Sequence, residues 1–137
     1  HATLAATPEQ ARAGDTLELV AYAADTVAGT RFFRAGSVDL VVTDAPYGVQ
    51  HGSRTAAAGL DRGPVPLLTD AVPGWAGLLR PGGAMGIAWN ANVADRSALA
   101  AVLAGAGLTV LEAPPYAGFR HRVDQAIVRD LIVARKP

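Results

Sequence analysis

Blocks of apolar and polar residues along this chain predict strands separated by helices. The apolar, strand-forming runs cover residues 17–24, 38–43, 84–90, 108–112 and 125–134. Helical spacing of apolar residues, with capping and breaking residues at the ends, predicts helices over 8–13, 71–79 and 93–104. Helices that alternate with strands in this way indicate an α/β fold.

The connections between the runs predict how the strands pair. A helix separates 38–43 from 84–90, and another separates 84–90 from 108–112, so we expect these strands to be parallel. No helix separates 108–112 from 125–134, so this last pair should be antiparallel. The run at 38–43 has a continuous apolar centre, which predicts burial on both faces of a parallel sheet. No linker divides the chain, and we predict one domain over 1–137.

Residues 49–69 carry several glycines and prolines, and we predict a long loop there. Loops of this length in compact domains are usually functional or disordered. Arg54 and Arg62 within it could grip phosphates, or they could keep the loop soluble.

The most informative segment is 39–48, which reads Asp-Leu-Val-Val-Thr-Asp-Ala-Pro-Tyr-Gly. It places Asp44, Pro46 and Tyr47 at the carboxyl end of a predicted strand. Open α/β sheets bind their ligands at such strand ends. A strand end followed by an ordinary turn is the alternative interpretation, since Asp and Pro are common turn residues.

This segment closely resembles the Asp/Asn-Pro-Pro-Tyr motif of amino-directed, S-adenosylmethionine-dependent nucleic-acid methyltransferases. It is most similar to the tRNA guanine-N2 branch, where Thr-Asp-Pro-Pro-Tyr-Gly is usual, although Ala45 replaces the first proline. Two further segments support the resemblance. Leu79-Arg80-Pro81-Gly82-Gly83 resembles the turn before the fifth strand of those enzymes, and Ala24-Asp25-Thr26 resembles their acidic motif.

The resemblance covers most of residues 17–136 and implies a Rossmann-like class I methyltransferase sheet. The family holds the cofactor's methionine part with a Gly-rich loop after the first strand, and its ribose with an acidic residue after the second. Neither feature is visible in this sequence. We therefore expect a partial sheet, corresponding to the carboxyl-terminal part of the family's domain, which binds S-adenosyl-L-methionine weakly or not at all when alone.

The resemblance also implies a role for individual residues. The Asp44 carboxylate and the Ala45 carbonyl would accept hydrogens from the target amine, and Pro46 would keep Ala45 extended. Tyr47 would stack on a base taken out of its own stack. The predicted cofactor-binding residues are Asp25, Thr26 and Asp44. The predicted substrate-binding residues are Tyr47, Gly48, His51, Arg120 and Arg122. We predict no metal.

Several of these residues also have simpler interpretations. Asp25 could equally cap a helix that begins near Thr26. A lone loop histidine such as His51 is more often solvated than functional. Arg120 and Arg122 lie beside aromatic Phe119, which suits a nucleic-acid contact, but a solvated hairpin tip explains them as well.

Composition limits the classes of protein that are possible. The 137 residues include no Cys, which excludes a disulfide scaffold and a thiolate metal site. No apolar run approaches the roughly 20 residues of a membrane span, and we expect a cytoplasmic protein. The net charge of zero argues against nucleic-acid binding by bulk electrostatics, which leaves local arginine clusters.

Three functions remain open. The first is methyl transfer to an exocyclic base amine, with guanine N2 of tRNA favoured by Thr43 and Gly48 around the motif. The second is methylation of another amine, such as adenine N6 in DNA or RNA or a glutamine amide. The third is a non-catalytic, methyltransferase-like binding module without the cofactor loop. We also expect self-association through an exposed sheet edge.

Overall fold

The computed structural model describes residues 1–47, 53–55, 59–61 and 63–137, with backbone alone for 53–55 and 59–61. The strands are β1 (Ala2–Leu4), β2 (Leu17–Leu19), β3 (Val38–Asp44), β4 (Ser53–Thr55), β5 (Gly59–Asp61), β6 (Leu79–Asn90), β7 (Thr109–Leu111), β8 (His121–Arg122) and β9 (Val128–Arg135). The α-helices are α1 (Pro8–Ala13), α2 (Pro64–Leu78) and α3 (Arg96–Gly105), and a short 3₁₀-helix covers Ala28–Phe32.

A mixed sheet organises the part of the chain that carries the motif. Its strand order is β3-β6-β9-β7, and β8 pairs with β9 beside β7. β3 and β6 are parallel, whereas β9 runs antiparallel to both β6 and β7. The predicted parallel strands and the closing antiparallel pair are therefore confirmed.

Two helices cover one face of this sheet. α2 and α3 contact each other and pack on β6, β7 and β9. The side chains of alternating residues along β6 and β9 point into this layer because successive side chains of a strand face opposite sides. The core contains Leu68, Val72, Met85, Ile87, Trp89, Leu99, Leu103, Ile132 and Ala134, all almost fully buried.

The opposite face explains one wrong prediction. The apolar run at 38–43 predicted burial on both faces, but the Leu40 and Val42 side chains are 58% and 71% exposed. Val41 and Thr43 face the helices and are half-buried. β3 is an edge strand of the described sheet, and no described element covers the face on which Leu40 and Val42 lie.

The prolines and glycines of 63–83 caused the largest errors in element boundaries. The predicted loop over 49–69 contains the antiparallel β4–β5 pair and the start of α2, which begins at Pro64 rather than at 71. Pro64 and Pro66 are compatible with this start because the first turn of a helix needs no backbone N–H donors. α2 ends at Leu78, one residue before its predicted end and ahead of the Pro81-Gly82-Gly83 segment.

The Pro-Gly-Gly segment instead lies inside β6, which begins at Leu79 and not at 84. The pairing register shifts there, between Val38 and Leu40 of β3. A Cβ at Gly83 would lie 2.9 Å from the Arg80 carbonyl oxygen and 3.1 Å from that of Asp39. Glycine is therefore required where the two strands approach in this irregular register.

The remaining boundaries differ by a few residues. The predicted helix over 8–13 is confirmed as α1, with Thr7 accepting a hydrogen bond from the Gln10 N–H. The strand predicted over 17–24 is wrong beyond Leu19, and β2 pairs with β1 in a separate two-stranded sheet. α3 begins later than predicted, after Asp95, and the last strand begins at Val128 rather than at 125.

Candidate active site

The predicted motif lies where the parallel strands β3 and β6 end. Asp44 is the last residue of β3, pairs with Ala88 of β6 and has an exposed side chain. Ala45 extends the ladder by donating its N–H to the Ala88 carbonyl oxygen at 2.8 Å, and its methyl group is buried in the core. Within the described residues, no hydrogen bond occupies the Ala45 carbonyl. The strand end thus combines an exposed carboxylate at Asp44 with the backbone carbonyl of Ala45, a residue that is 6% exposed.

Tyr47 links this strand end to β9. Its hydroxyl lies 3.1 Å from Oδ1 of Asp44 and accepts a hydrogen bond of 2.7 Å from Nε of Arg129. The Arg129 guanidinium carbon lies 5.4 Å from the centre of the tyrosine ring. Burial, and next the hydrogen bond to Asp44, raise the pKa of Tyr47 above its usual value, although Arg129 opposes the shift. The Tyr47 hydroxyl therefore stays protonated at neutral pH and donates a hydrogen bond to the Asp44 carboxylate.

Asn90 fixes the backbone around the motif. This fully buried residue ends β6, and its Nδ2 donates to the carbonyl oxygens of Tyr47 at 3.3 Å and Ala126 at 3.1 Å. Its Oδ1 accepts the backbone N–H groups of Asn92 and Val128. One amide therefore joins the motif to the start of β9 and to the turn before it.

The predicted basic segment lies at the same edge of the sheet. β8 pairs with the start of β9, so that His121 lies opposite Arg129 and Arg122 lies opposite Val128. Arg120, His121 and Arg122 are exposed. In the sheet order, β6 and β9 lie between this segment and β3, and Arg129 of β9 is the residue that contacts Tyr47.

Asp25 and Thr26 lie in a different environment. Oδ1 of Asp25 accepts the N–H groups of Val27 at 2.8 Å and Ala28 at 3.4 Å, so it caps the turn before the 3₁₀-helix, as its alternative interpretation proposed. The Thr26 carbonyl accepts the indole N–H of Trp75, near the end of α2 that leads into β6. No described hydrogen bond or ion pair joins either residue to Asp44–Tyr47.

Some predicted residues cannot be placed. Gly48, His51 and Arg62 lie outside the described residues, and for Arg54 the description is limited to the backbone. In the part of the chain that is described, no cluster of three His, Asp or Glu side chains could hold a metal ion. None of the described helices combines the length and the apolar character of a membrane span.

Two important residues of this site were not predicted from the sequence. In the sequence, Asn90 is the last residue of the run at 84–90, and Arg129 is a charged residue inside the run at 125–134. Their roles depend on contacts across 43 and 82 positions of the chain, respectively. A polar residue at an otherwise buried strand end was the available signal for both.

No protein-family model matches the chain, and no curated protein matches it significantly. Solved structures do match. A protein from Thermus thermophilus, provisionally named a DNA modification methylase, superposes with a TM-score of 0.54 at 19% identity, over 83% of this chain and 52% of that protein. The same protein complexed with S-adenosyl-L-methionine gives 0.52 at 18% identity, over 82% of this chain and 53% of that one.

A second likeness is to the CurJ carbon methyltransferase. It has a TM-score of 0.53 at 16% identity, over 93% of this chain and 37% of that protein. The chain thus spans about half the length, or less, of these proteins. At such low identity the likenesses establish the fold, which is the Rossmann-like α/β fold of S-adenosylmethionine-dependent methyltransferases.

Proposed function

We propose that this protein transfers a methyl group from S-adenosyl-L-methionine to an exocyclic amine of a nucleic-acid base. The observation that carries the proposal is the pair of acceptors at the end of β3, which are the exposed Asp44 carboxylate and the Ala45 carbonyl. Both belong to a sheet with the methyltransferase fold, at the edge where open α/β sheets bind ligands.

The chemistry requires acceptors of this kind. The lone pair of an exocyclic amine is delocalised into the base ring, so the nitrogen is a weak nucleophile. Two acceptors directed at its hydrogens draw the nitrogen toward tetrahedral geometry and return the lone pair to it. Asp44 also stabilises the positive charge that develops on the amine. Ala45 supplies the same carbonyl as the proline it replaces.

Holding the base is the second requirement. Tyr47 is half-buried. Its hydroxyl is hydrogen-bonded to Asp44 and Arg129, and its backbone carbonyl is hydrogen-bonded to Asn90. A ring fixed in this way provides a stacking surface for an unstacked base, at little further cost in side-chain entropy. The remaining contribution to the rate is the positioning of the amine.

The residues present fit the part of the site around the transferred methyl group better than the parts that would hold the rest of the cofactor. When bound, S-adenosyl-L-methionine supplies an electrophilic methyl group on a sulfonium. Asp44 would lie on the methyl side, and Asp25 with Thr26 would hold the adenine. The Gly-rich loop and the ribose-binding acidic residue implied by the resemblance are not found among the described residues. We therefore interpret the sheet as the second half of the family's domain and expect weak cofactor binding by the chain alone.

Guanine N2 of tRNA is our preferred target. The Thr43–Tyr47 segment matches that branch apart from Ala45, and Gly48 continues the match in the sequence. Arg120 and Arg122 are exposed at the edge of the sheet where β3 and β6 end, and they would contact phosphates near the target base. A tRNA substrate agrees with a cytoplasmic location, which we retain as part of the proposal.

Adenine N6 of DNA is a second candidate. The observation that favours it is the fold shared with the Thermus thermophilus protein provisionally named a DNA modification methylase. The two targets require the same acceptors, because both nitrogens are exocyclic amines. They differ in the base that Tyr47 would stack on and in the backbone that the arginines would contact.

The test is a methyl-transfer assay with S-adenosyl-L-methionine labelled in its methyl group, at millimolar concentration to offset weak binding. Bulk tRNA and duplex DNA are supplied separately, and the products are digested to nucleosides and identified by mass spectrometry. We expect N2-methylguanosine from tRNA. N6-methyladenine from DNA would support the second candidate, and no labelled base from either substrate would contradict the proposal.

A further inference from the structure

Arg129 is a cationic residue that contacts Tyr47 of the motif, yet it makes no ion pair with any described carboxylate. It is the second residue of β9, lies opposite Asn90 of β6 and is half-buried. The described hydrogen bond of its side chain runs from Nε to the Tyr47 hydroxyl, at 2.7 Å. A tyrosine hydroxyl therefore lies between the guanidinium and the carboxylate of Asp44.

The donors and acceptors in this chain of contacts fix its direction. A guanidinium can donate hydrogen bonds but cannot accept them. The Tyr47 hydroxyl must therefore accept from Arg129, and its single hydrogen is free to point at Oδ1 of Asp44, 3.1 Å away. With Oδ1 engaged by this hydrogen, Oδ2 is the carboxylate oxygen left to accept from another donor. Among the described residues, Oδ2 has no hydrogen-bond partner.

From this geometry we infer that Arg129 is a positioning residue, which orients the Tyr47 hydroxyl and through it holds the Asp44 carboxylate with Oδ2 toward the substrate amine. The inference rests on the proposed function and adds to it a residue from another strand. Arg129 itself contacts neither Asp44 nor any predicted substrate atom. Arg129 has two described contacts with Tyr47, the hydrogen bond to the hydroxyl and the guanidinium 5.4 Å from the ring centre, and the proposed positioning runs through the first.

This dependence makes a double-mutant cycle the decisive experiment. Arg129→Gln in the unmodified protein should lower kcat for methyl transfer to bulk tRNA roughly 10- to 100-fold, with a smaller change in KM, because a misdirected carboxylate costs rate rather than binding. In a Tyr47→Phe background the same substitution should change kcat less than about twofold, since the hydrogen bond to the hydroxyl is already lost and only the ring contact remains. Equal losses in both backgrounds would overturn the inference.

Two further variants separate positioning from folding. Arg129→Lys keeps the charge and a donor and should recover part of the lost rate, although an ammonium does not reproduce the planar fork. Arg135→Gln is the matched control, because Arg135 lies at the far end of β9 and bonds the Gly82 carbonyl. It should leave kcat unchanged, and thermal melts should show that every variant is folded.

A second measurement does not require activity and so distinguishes this inference from the proposed function. The ultraviolet titration of the protein minus that of its Tyr47→Phe variant gives the ionisation of Tyr47 alone. Its midpoint should lie above that of free tyrosine, because burial and Asp44 raise its pKa. Arg129→Gln should move the midpoint to still higher pH by removing the cation that stabilises tyrosinate. An unchanged midpoint would overturn the inference even if methyl transfer occurs.

If the unmodified protein transfers no methyl group but the Arg129→Gln midpoint rises, the contact is real and the proposed function fails. If methyl transfer occurs and the cycle shows no coupling, the proposed function stands and the role of Arg129 fails.

Discussion

Residues 64–137 and residues 1–44 use similar apolar side chains with opposite results. In 64–137, side chains of α2, α3, β6 and β9 form one buried core. In 1–44, no residue is buried. The exposed large hydrophobic residues of this region are Leu4, Leu17, Leu19, Val20, Tyr22, Val27, Phe32, Phe33, Leu40 and Val42. The difference shows that an apolar run predicts a strand or helix but not what will cover it.

The candidate site lies at the junction of these two regions. Asp44 ends the last strand of the exposed region, whereas Ala45 is the first buried residue of the chain. Asn90 and Arg129, which hold the motif, come from the packed region. The acceptors are therefore supported from one side by a rigid core. On the other side, the described residues provide an open sheet edge.

The strongest contrast should appear in the free energy of unfolding. Leu103→Ala removes a side chain that is 1% exposed and should cost about 2–5 kcal/mol, through lost burial and the cavity left behind. Leu17→Ala, at a side chain that is 74% exposed, should change stability by less than about 0.5 kcal/mol. Urea denaturation measures both values. Similar costs at the two sites would mean that residues 1–44 are packed after all.

A second substitution tests the junction itself. Ala45→Pro restores the residue usual in the resembling family, but it removes the N–H that bonds the Ala88 carbonyl. We expect a loss of about 1–3 kcal/mol in the free energy of unfolding, from the missing hydrogen bond and the strain of the ring. Ala45→Ser retains the N–H and is the control. A neutral Ala45→Pro would show that the ladder does not extend beyond Asp44.

The sequence predicted the features that depend on neighbouring residues and missed those that depend on residues far apart in the chain. Strand β3 and the antiparallel closing pair were predicted because the spacing of apolar residues and the length of the connection between two strands can be read from consecutive residues. The start of α2 was not, since Pro64 and Pro66 resemble loop residues unless their place in a first turn is known. Asp44 and Tyr47 were predicted as site residues from one continuous motif. Arg129 reaches them by strand register, which a single sequence does not reveal.

The smallest expected effect concerns the open face of β3. An apolar edge strand favours pairing with another copy, so the protein should self-associate increasingly with concentration. Val42→Lys places a charge on this face, where the side chain is 71% exposed, and should reduce the mean mass in light scattering. Val93→Lys, at an exposed position outside the sheet, should not. A protein that is monomeric at all concentrations would contradict the expectation.

The central claim is that Asp44 is the acceptor for the target amine, and its most direct test compares two aspartates of one strand. Asp44 lies at the carboxyl end of β3, and Asp39 lies near the amino end in an exposed pair with Arg80. Single-turnover methyl transfer to bulk tRNA should fall about 100-fold or more in Asp44→Ala. In Asp39→Ala it should stay within about twofold, because an exposed ion pair contributes little. Equal rates in the two variants would contradict the claim.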